Sequence, residues 1–283
     1  MHPGFGTNSL GDVDPLGVLP VLRDLGYRSL AITLDHHTLH PGMPDLPSRL
    51  DGWRAGLAAA GMACVIETGA RHLLDPCTKH EPTLVSTTRE GRDRRIAFTC
   101  GAIDVAADLG AACVSLWSGV ARDAAAVETI WMRLVDALGP VLDHAARRGV
   151  ALGFEPEPGM VVDTLARYGA LLDQTGHPDH LRLTVDVGHL ECMGERPVHE
   201  VLRPWAGRIV NVHVDDMLAS RHEHLPLGTG DVDFGAAFAA LAAGGYRGGL
   251  HVELPRQTHR WLDTARESAE FFTRHLAPLE PTP

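Results

Sequence analysis

The chain has 283 residues, 45% of them hydrophobic, and sets 25 Lys and Arg against 36 Asp and Glu for a formal net charge of −11. That acidity argues against nucleic acid, which calls for a basic surface; the lack of a long apolar run or a basic-then-apolar leader predicts a cytoplasmic protein with no membrane partner. Five cysteines without a CxxC pair argue against a disulfide framework and a thiolate zinc site, and most are expected to be small core residues.

Short apolar, β-branched runs alternate with longer amphipathic ones, which predicts βα repetition. In chain order the reading is strand Gly4–Asn8 and helix Pro15–Leu25, strand Ser29–Leu34 and helix Leu46–Ala60, strand Ala63–Glu67 and helix Arg94–Leu109, then strand Cys113–Trp117 and helix Ala124–Arg148. The second half continues with strand Ala151–Glu155 and helix Thr164–Thr175, strand Arg182–Asp186 and helix Val198–Trp205, strand Ile209–His213 and helix Phe234–Ala243, and strand Leu250–Glu253 and helix Trp261–His275. In the fourth helix Val127, Trp131, Leu134, Leu138, Val141 and Ala145 share one face, while Gly139–Pro140 predicts a kink or two abutting helices. Eight such units without a break in composition predict an α/β protein, a single (β/α)8 TIM barrel domain over residues 1–283. A doubly wound open sheet is the alternative, although no GxGxxG fingerprint follows the first strand.

One long loop is expected after the third strand, Thr68–Arg92, and a βα loop of that length in a compact barrel is usually functional. It carries Arg71, His72, Lys79, His80, Arg89 and Arg92 in an otherwise acidic chain. Either it is a solvated excursion, or it is a lid whose Arg71 or Lys79 meets a polar or anionic part of a substrate.

Catalytic groups in such barrels sit where strands deliver the chain to the C-terminal mouth. The last four strands each stop at a polar residue: "LGFEPEPG" at Glu155, "LTVDVGHL" at Asp186, "IVNVHVDD" at His213 and "GLHVEL" at Glu253. Three carboxylates crowded in a half-dry mouth would force one to protonate, and a divalent cation removes that cost. Oxygen donors with one imidazole suit Mn²⁺, Mg²⁺, Co²⁺, Fe²⁺ or Zn²⁺ without discriminating well among them; one divalent ion is expected, Mn²⁺ foremost. Around this set, His189 either faces a substrate or orients Asp186; Glu157 touches substrate or caps the next helix; Arg221 offers a rigid fork for hydroxyls or carboxylates; and Trp117 is either an apolar wall for a sugar or core. The histidines of "LDHHTLH" (His36, His37, His40) and "RHEH" (His222, His224) are either metal ligands or solvated.

"GFEP", "VDVGH", "NVHVDD", "LPLGTGDVDF" and "HVEL" resemble, in order and spacing, the xylose isomerase-like TIM barrel superfamily, in its sugar phosphate isomerase/epimerase branch with the ketose 3-epimerases. The resemblance implies a metal at Glu155, Asp186, His213 and Glu253, substrate hydroxyls on His189 and Arg221, and acid–base work by Glu155 and Glu253. The expected function is therefore metal-dependent epimerisation or isomerisation of a sugar, cyclitol or sugar phosphate by proton transfer beside a carbonyl. The superfamily also holds apurinic-site endonucleases with three zinc ions, which His189, His222 and His224 resemble, whereas Glu67 and Trp117 stand where those enzymes have histidines. A metal- or sugar-binding barrel without turnover is the remaining alternative. The partner is a small polyhydroxylated substrate, with homo-oligomerisation left open.

Overall fold

The computed structural model describes residues 1–279. Its elements are β1 (His2–Gly6), α1 (Pro15–Asp24), β2 (Ser29–Thr33), α2 (Leu46–Ala60), β3 (Ala63–Glu67), α3 (Arg89–Leu109), β4 (Val114–Leu116), α4 (Val127–Arg148), β5 (Leu152–Phe154), α5 (Leu165–Thr175), β6 (Leu181–Asp186), α6 (Val187–Cys192), α7 (Val198–Leu202), β7 (Ile209–Val214), β8 (Asp216–Leu218), β9 (Arg221–Leu225), α8 (Phe234–Ala243), β10 (Gly249–Val252) and α9 (Trp261–Leu276). The strands close a barrel in which β1 neighbours β2 and β10, and the ladder runs from β10 through β7, β6, β5, β4 and β3 to β2. With helices between successive parallel strands, this is the predicted (β/α)8 TIM barrel; the open sheet is excluded. No helix among the described residues is long and apolar enough to cross a membrane.

The chain divides into two compact units, residues 1–32, 55–64 and from 184 onward, and residues 33–54 and 65–183, with divisions falling inside β2, α2, β3 and β6. In the first unit Phe5, Leu30, Val185, Val212, Val214, Leu250 and Val252 are buried strand residues. In the second, Ile66, Val114, Leu116, Leu152 and Phe154 fill that role. Fully burying such a side chain contributes about 1.5–3 kcal/mol, which is why β-branched and aromatic runs mark these strands. Helix ends follow the sequence too: Gly110, Gly149 and Gly176 adopt left-handed conformations behind α3, α4 and α5.

Several readings need correction. β1 starts earlier than expected and gives way to a single 3₁₀ turn at Thr7–Ser9, so Asn8 lies beyond the strand. The break at Pro140 does not divide the helix; α4 is continuous from Val127 to Arg148, held by buried Leu134, Leu138, Val141 and Ala145 on one face. No regular helix or strand occupies residues 68–88, and α3 starts at Arg89, with Thr88 accepting a hydrogen bond from Gly91 N as its cap. Of the cysteines, Cys64, Cys113 and Cys192 are buried, while Cys77 is exposed and Cys100 intermediate.

Candidate metal centre and active site

Asp186 ends β6 and caps α6. Its Oδ1 accepts the backbone N–H of Gly188 at 2.7 Å and of His189 at 3.0 Å, the use a helix start makes of a carboxylate. Its buried Oδ2 has no hydrogen-bond donor and stands 3.7 Å from His189 Nε2. A buried carboxylate oxygen without a donor is costly, and a cation is the partner that would satisfy it. Burial raises the acid's pKa, but His189, His213 and His224 outweigh it and hold Asp186 below the ordinary carboxylate value.

β7 delivers buried His213, whose Nδ1 lies 2.9 Å from Glu253 Oε2 just past β10. The register aligns His213 with His251, one residue pair below Val214 and Val252. The other Glu253 oxygen accepts from Asn8 Nδ2 at 2.8 Å. Burial would raise the pKa of Glu253; the electrostatic pull of the neighbouring His213 imidazole and its hydrogen bond reverse this and carry it far below the usual range. One ligand atom each from Glu155, Asp186, His213 and Glu253 lies within 4.8 Å of all the others, the four strand-end residues the sequence singled out.

A second imidazole group adjoins it. His189, on α6, faces His222 and His224 of β9, with ring centroids 5.0 and 6.1 Å away, and ligand atoms of all three lie within 4.8 Å of one another. Burial pushes His189 down to about 4, so its ring is neutral. Burial also opposes charge on His224, but the contact of its Nδ1 with Asp215 Oδ2 and the nearby carboxylates raise it to about 10. Asp216 instead gathers backbone donors: Met217 N, Gly228 N, Gly230 N and Val232 N at 3.0, 2.9, 2.8 and 3.1 Å.

The remaining expected site residues are placed as follows. Glu157 brings a carboxylate oxygen within 4.8 Å of ligand atoms of Glu155 and His189, and α5 is capped by Thr164, not by Glu157. Trp117 is buried beneath the Arg95 guanidinium, 4.5 Å from its ring, and meets His80 edge-on at 5.5 Å. Arg71 Nε is 3.5 Å from Asp35 Oδ2, and Lys79 is exposed. Arg221 is exposed on β9 and pairs with Glu223 at 2.7 Å. His36 and His37 are exposed, and neither they nor His40 joins a metal-competent group among the described residues.

The sequence reading missed Asn8, Asp215, Asp216 and the buried Asn211. "NVHVDD" held a signal for three of them, since each polar residue there interrupts an otherwise buried run.

Fold and cluster together define a (β/α)8 barrel with an acidic, imidazole-bearing mouth. Residues 19–275 match the model of the Xylose isomerase-like TIM barrel family, and the chain belongs to that family. It is 25% identical over 252 residues to the L-ribulose-5-phosphate 3-epimerase UlaE of Salmonella heidelberg (strain SL476), covering 89% of this chain and 84% of the relative. Among solved structures, an L-ribulose 3-epimerase superposes with a TM-score of 0.77 at 22% identity, covering 98% of this chain and 95% of that one. The IolI protein with a binding zinc atom superposes with a TM-score of 0.74 at 19% identity, covering 97% and 99%.

Proposed function

We propose that this enzyme epimerises or isomerises a polyhydroxylated sugar, sugar phosphate or cyclitol by moving a proton at a carbon beside a carbonyl, as a single cytoplasmic barrel domain over residues 1–283. The observation that carries the reading is the convergence of Glu155, Asp186, His213 and Glu253, with Asp186 Oδ2 buried and lacking a donor. These four would hold one divalent ion, Mn²⁺ first among candidates that include Mg²⁺, Co²⁺, Fe²⁺ and Zn²⁺. Bound there, such an ion would supply Lewis-acid chemistry, polarising a carbonyl or adjacent hydroxyl oxygen and offsetting developing negative charge, a contribution of several kcal/mol. The epimerase activity named for the Salmonella relative and the zinc of the IolI structure support both parts.

The chain's own groups then divide the work. Glu253 keeps one oxygen on Asn8 and the other toward His213, so its lone pairs are aimed by two neighbours. As a strongly acidic carboxylate it takes the proton only from a carbon acid already polarised, while Glu155, just past the end of β5, delivers a proton to the other face or to the neighbouring carbon. His189, neutral and next to Asp186, is placed to donate to a substrate hydroxyl, with Glu157 beside it. Arg71, Lys79, Arg221 and Trp117 are assigned to the outer substrate contacts. Ketoses, inososes and their phosphates incubated in deuterated water with Mn²⁺ test the reading. Deuterium entering at carbon is expected; no exchange with any of them, by a chain that has bound metal, would overturn it.

One observation favours a second reading. His189, His222 and His224 lie close enough to hold another ion, as a three-metal phosphodiesterase would require. Glu67 ends β3 and Trp117 follows β4 where such a cluster needs histidines, so one tightly held ion per chain is the expected stoichiometry. Three zinc ions per chain would reverse the preference.

A further inference from the structure

Below the mouth, the inside of the barrel carries a line of polar side chains where this fold ordinarily packs layers of branched apolar ones. Residues two apart on a strand share a face, so Asn211 lies beneath His213 and His251 beneath Glu253. Asn211 Nδ2 donates to His213 Nε2 at 3.1 Å, Asn211 Oδ1 is 2.8 Å from His251 Nδ1, and His251 Nε2 is 2.8 Å from Ser29 Oγ. Ser29, Asn211, His213 and His251 are all at most 3% exposed. The space for the His251 ring comes from two glycines. A methyl on Gly249 would stand 2.7 Å from His251 Nε2, and one on Gly4 would overlap its Cδ2.

We propose that Asn211, His251 and Ser29 form a positioning string that selects the tautomer of His213, and that metal loading reverses its polarity from end to end. The proposal rests on the metal reading above. With the donors as found, His213 carries its proton on Nδ1, toward Glu253, and Nε2 accepts from the amide. His251 likewise carries its proton on Nδ1, toward Asn211 Oδ1, and accepts from the Ser29 hydroxyl. Nδ1 is the nitrogen of His213 that faces Glu253, while Nε2 is taken up by Asn211. To bind an ion it must give up that proton, and a neutral ring then carries one on Nε2, aimed at Asn211.

Two donors cannot face one another, so the amide turns over. Its oxygen accepts from His213 Nε2–H, its NH2 donates to His251 Nδ1, and His251 moves its own proton to Nε2, donating to Ser29 Oγ. Each ring keeps one N–H throughout, so the string takes up and releases no net proton. Asparagine suits the middle position because a half-turn exchanges its donor and acceptor. Partners that fix a ligand imidazole in this way typically change metal affinity about 10–100-fold when removed.

Two-bond ¹H–¹⁵N correlation spectra of the ¹⁵N-histidine-labelled chain, free and loaded with diamagnetic Zn²⁺, read the tautomers, with His251→Gln assigning the His251 signals. The expected result is Nδ1–H on both rings without zinc and Nε2–H on both with it. Calorimetry of Zn²⁺ binding should show a roughly tenfold weaker Kd for Ser29→Ala and a value near wild type for Ser29→Thr, which retains the hydroxyl. A zinc-loaded wild type in which His251 still holds Nδ1–H overturns the proposal. So does a Ser29→Ala variant with unchanged affinity and unchanged tautomers. Failure of the wild type to bind zinc would be a different result, removing the metal reading itself and the reversal with it.

Discussion

Two helical glycines should respond in opposite directions to the same added methyl. Gly188 sits in α6 between Asp186 and His189, and a Cβ there would overlap Asp215 Oδ1 and stand 2.9 Å from Met217 Cγ. Asp215 is wholly buried and bound to His224, so the carboxylate has no free direction in which to move. Overpacking costs about 1–3 kcal/mol, and displacing a charged hydrogen bond about 1.5–3 kcal/mol more. The helix gains back about 1 kcal/mol when glycine becomes alanine. Gly188→Ala should therefore lose roughly 1.5–5 kcal/mol, lowering the melting temperature by about 3–20 °C at the roughly 2–4 °C per kcal/mol of a large domain. Gly52, in α2, has nothing within 4 Å of its would-be methyl, so Gly52→Ala keeps only the helical gain and should melt about 2–4 °C higher. Parallel thermal and urea unfolding of the two variants decides the matter. A Gly188→Ala protein melting at or above wild type would show that Asp215 can move aside.

Asp186→Asn keeps an N-cap oxygen for Gly188 and His189 but removes the charge, so calorimetry should find metal affinity lost while the metal-free chain melts within a few degrees of wild type. Glu155→Gln and Glu253→Gln should each retain part of the metal and lose about 10²–10⁴-fold in turnover; deuterium washed into one epimer by a single variant would assign that glutamate's face, and full activity in either would remove it from the mechanism. His80 is held down to about 4, chiefly by burial, although Gly69 O accepts from it. The unfolded chain therefore takes up this proton first, and the stability His80 contributes is complete above pH 6.5 and lost as pH falls toward 4. His80→Gln should flatten the urea midpoint between pH 7 and 4.5, and an unchanged slope would rule out His80 as a source of acid sensitivity.

The barrel was legible because its strands are buried on both faces and read as short apolar runs punctuated by glycine. Three helix or strand spans, Leu46–Ala60, Ala63–Glu67 and Phe234–Ala243, were read to the residue. The strand-end residues stood out for the same reason, since a carboxylate or imidazole at the end of a buried run needs a cause. What sequence could not supply was register. Asn211, His251 and Ser29 come from three strands, and only the closed ladder lines them up. The six residues of α6 are too short for a helical period, and the β8–β9 hairpin turns at Ala219–Ser220 with Ser220 at φ 61°, without the glycine that announces such a turn. Arg95 is the largest fully buried side chain among the described residues, and nothing in its neighbours along the chain foretells an arginine stacked on Trp117.

The carboxylate of Asp216 makes the segment from β8 to Val232 a cassette. Four backbone N–H groups, contributed from both ends of that segment, close on a single side chain, so the two ends stay side by side whatever the intervening residues are. His222 and His224 ride on the part in between, as do Arg221 and Glu223. Loops carried on a rigid scaffold are where folds diversify, and here the scaffold reaches into the loop and ties it off. Because His224 in that span also holds the buried Asp215 just past His213, sequence change between residues 219 and 227 that keeps His224 can alter the exposed side chains of the hairpin while Asp216 keeps its ends tied, which makes those positions the ones to vary first in a search for altered substrate preference.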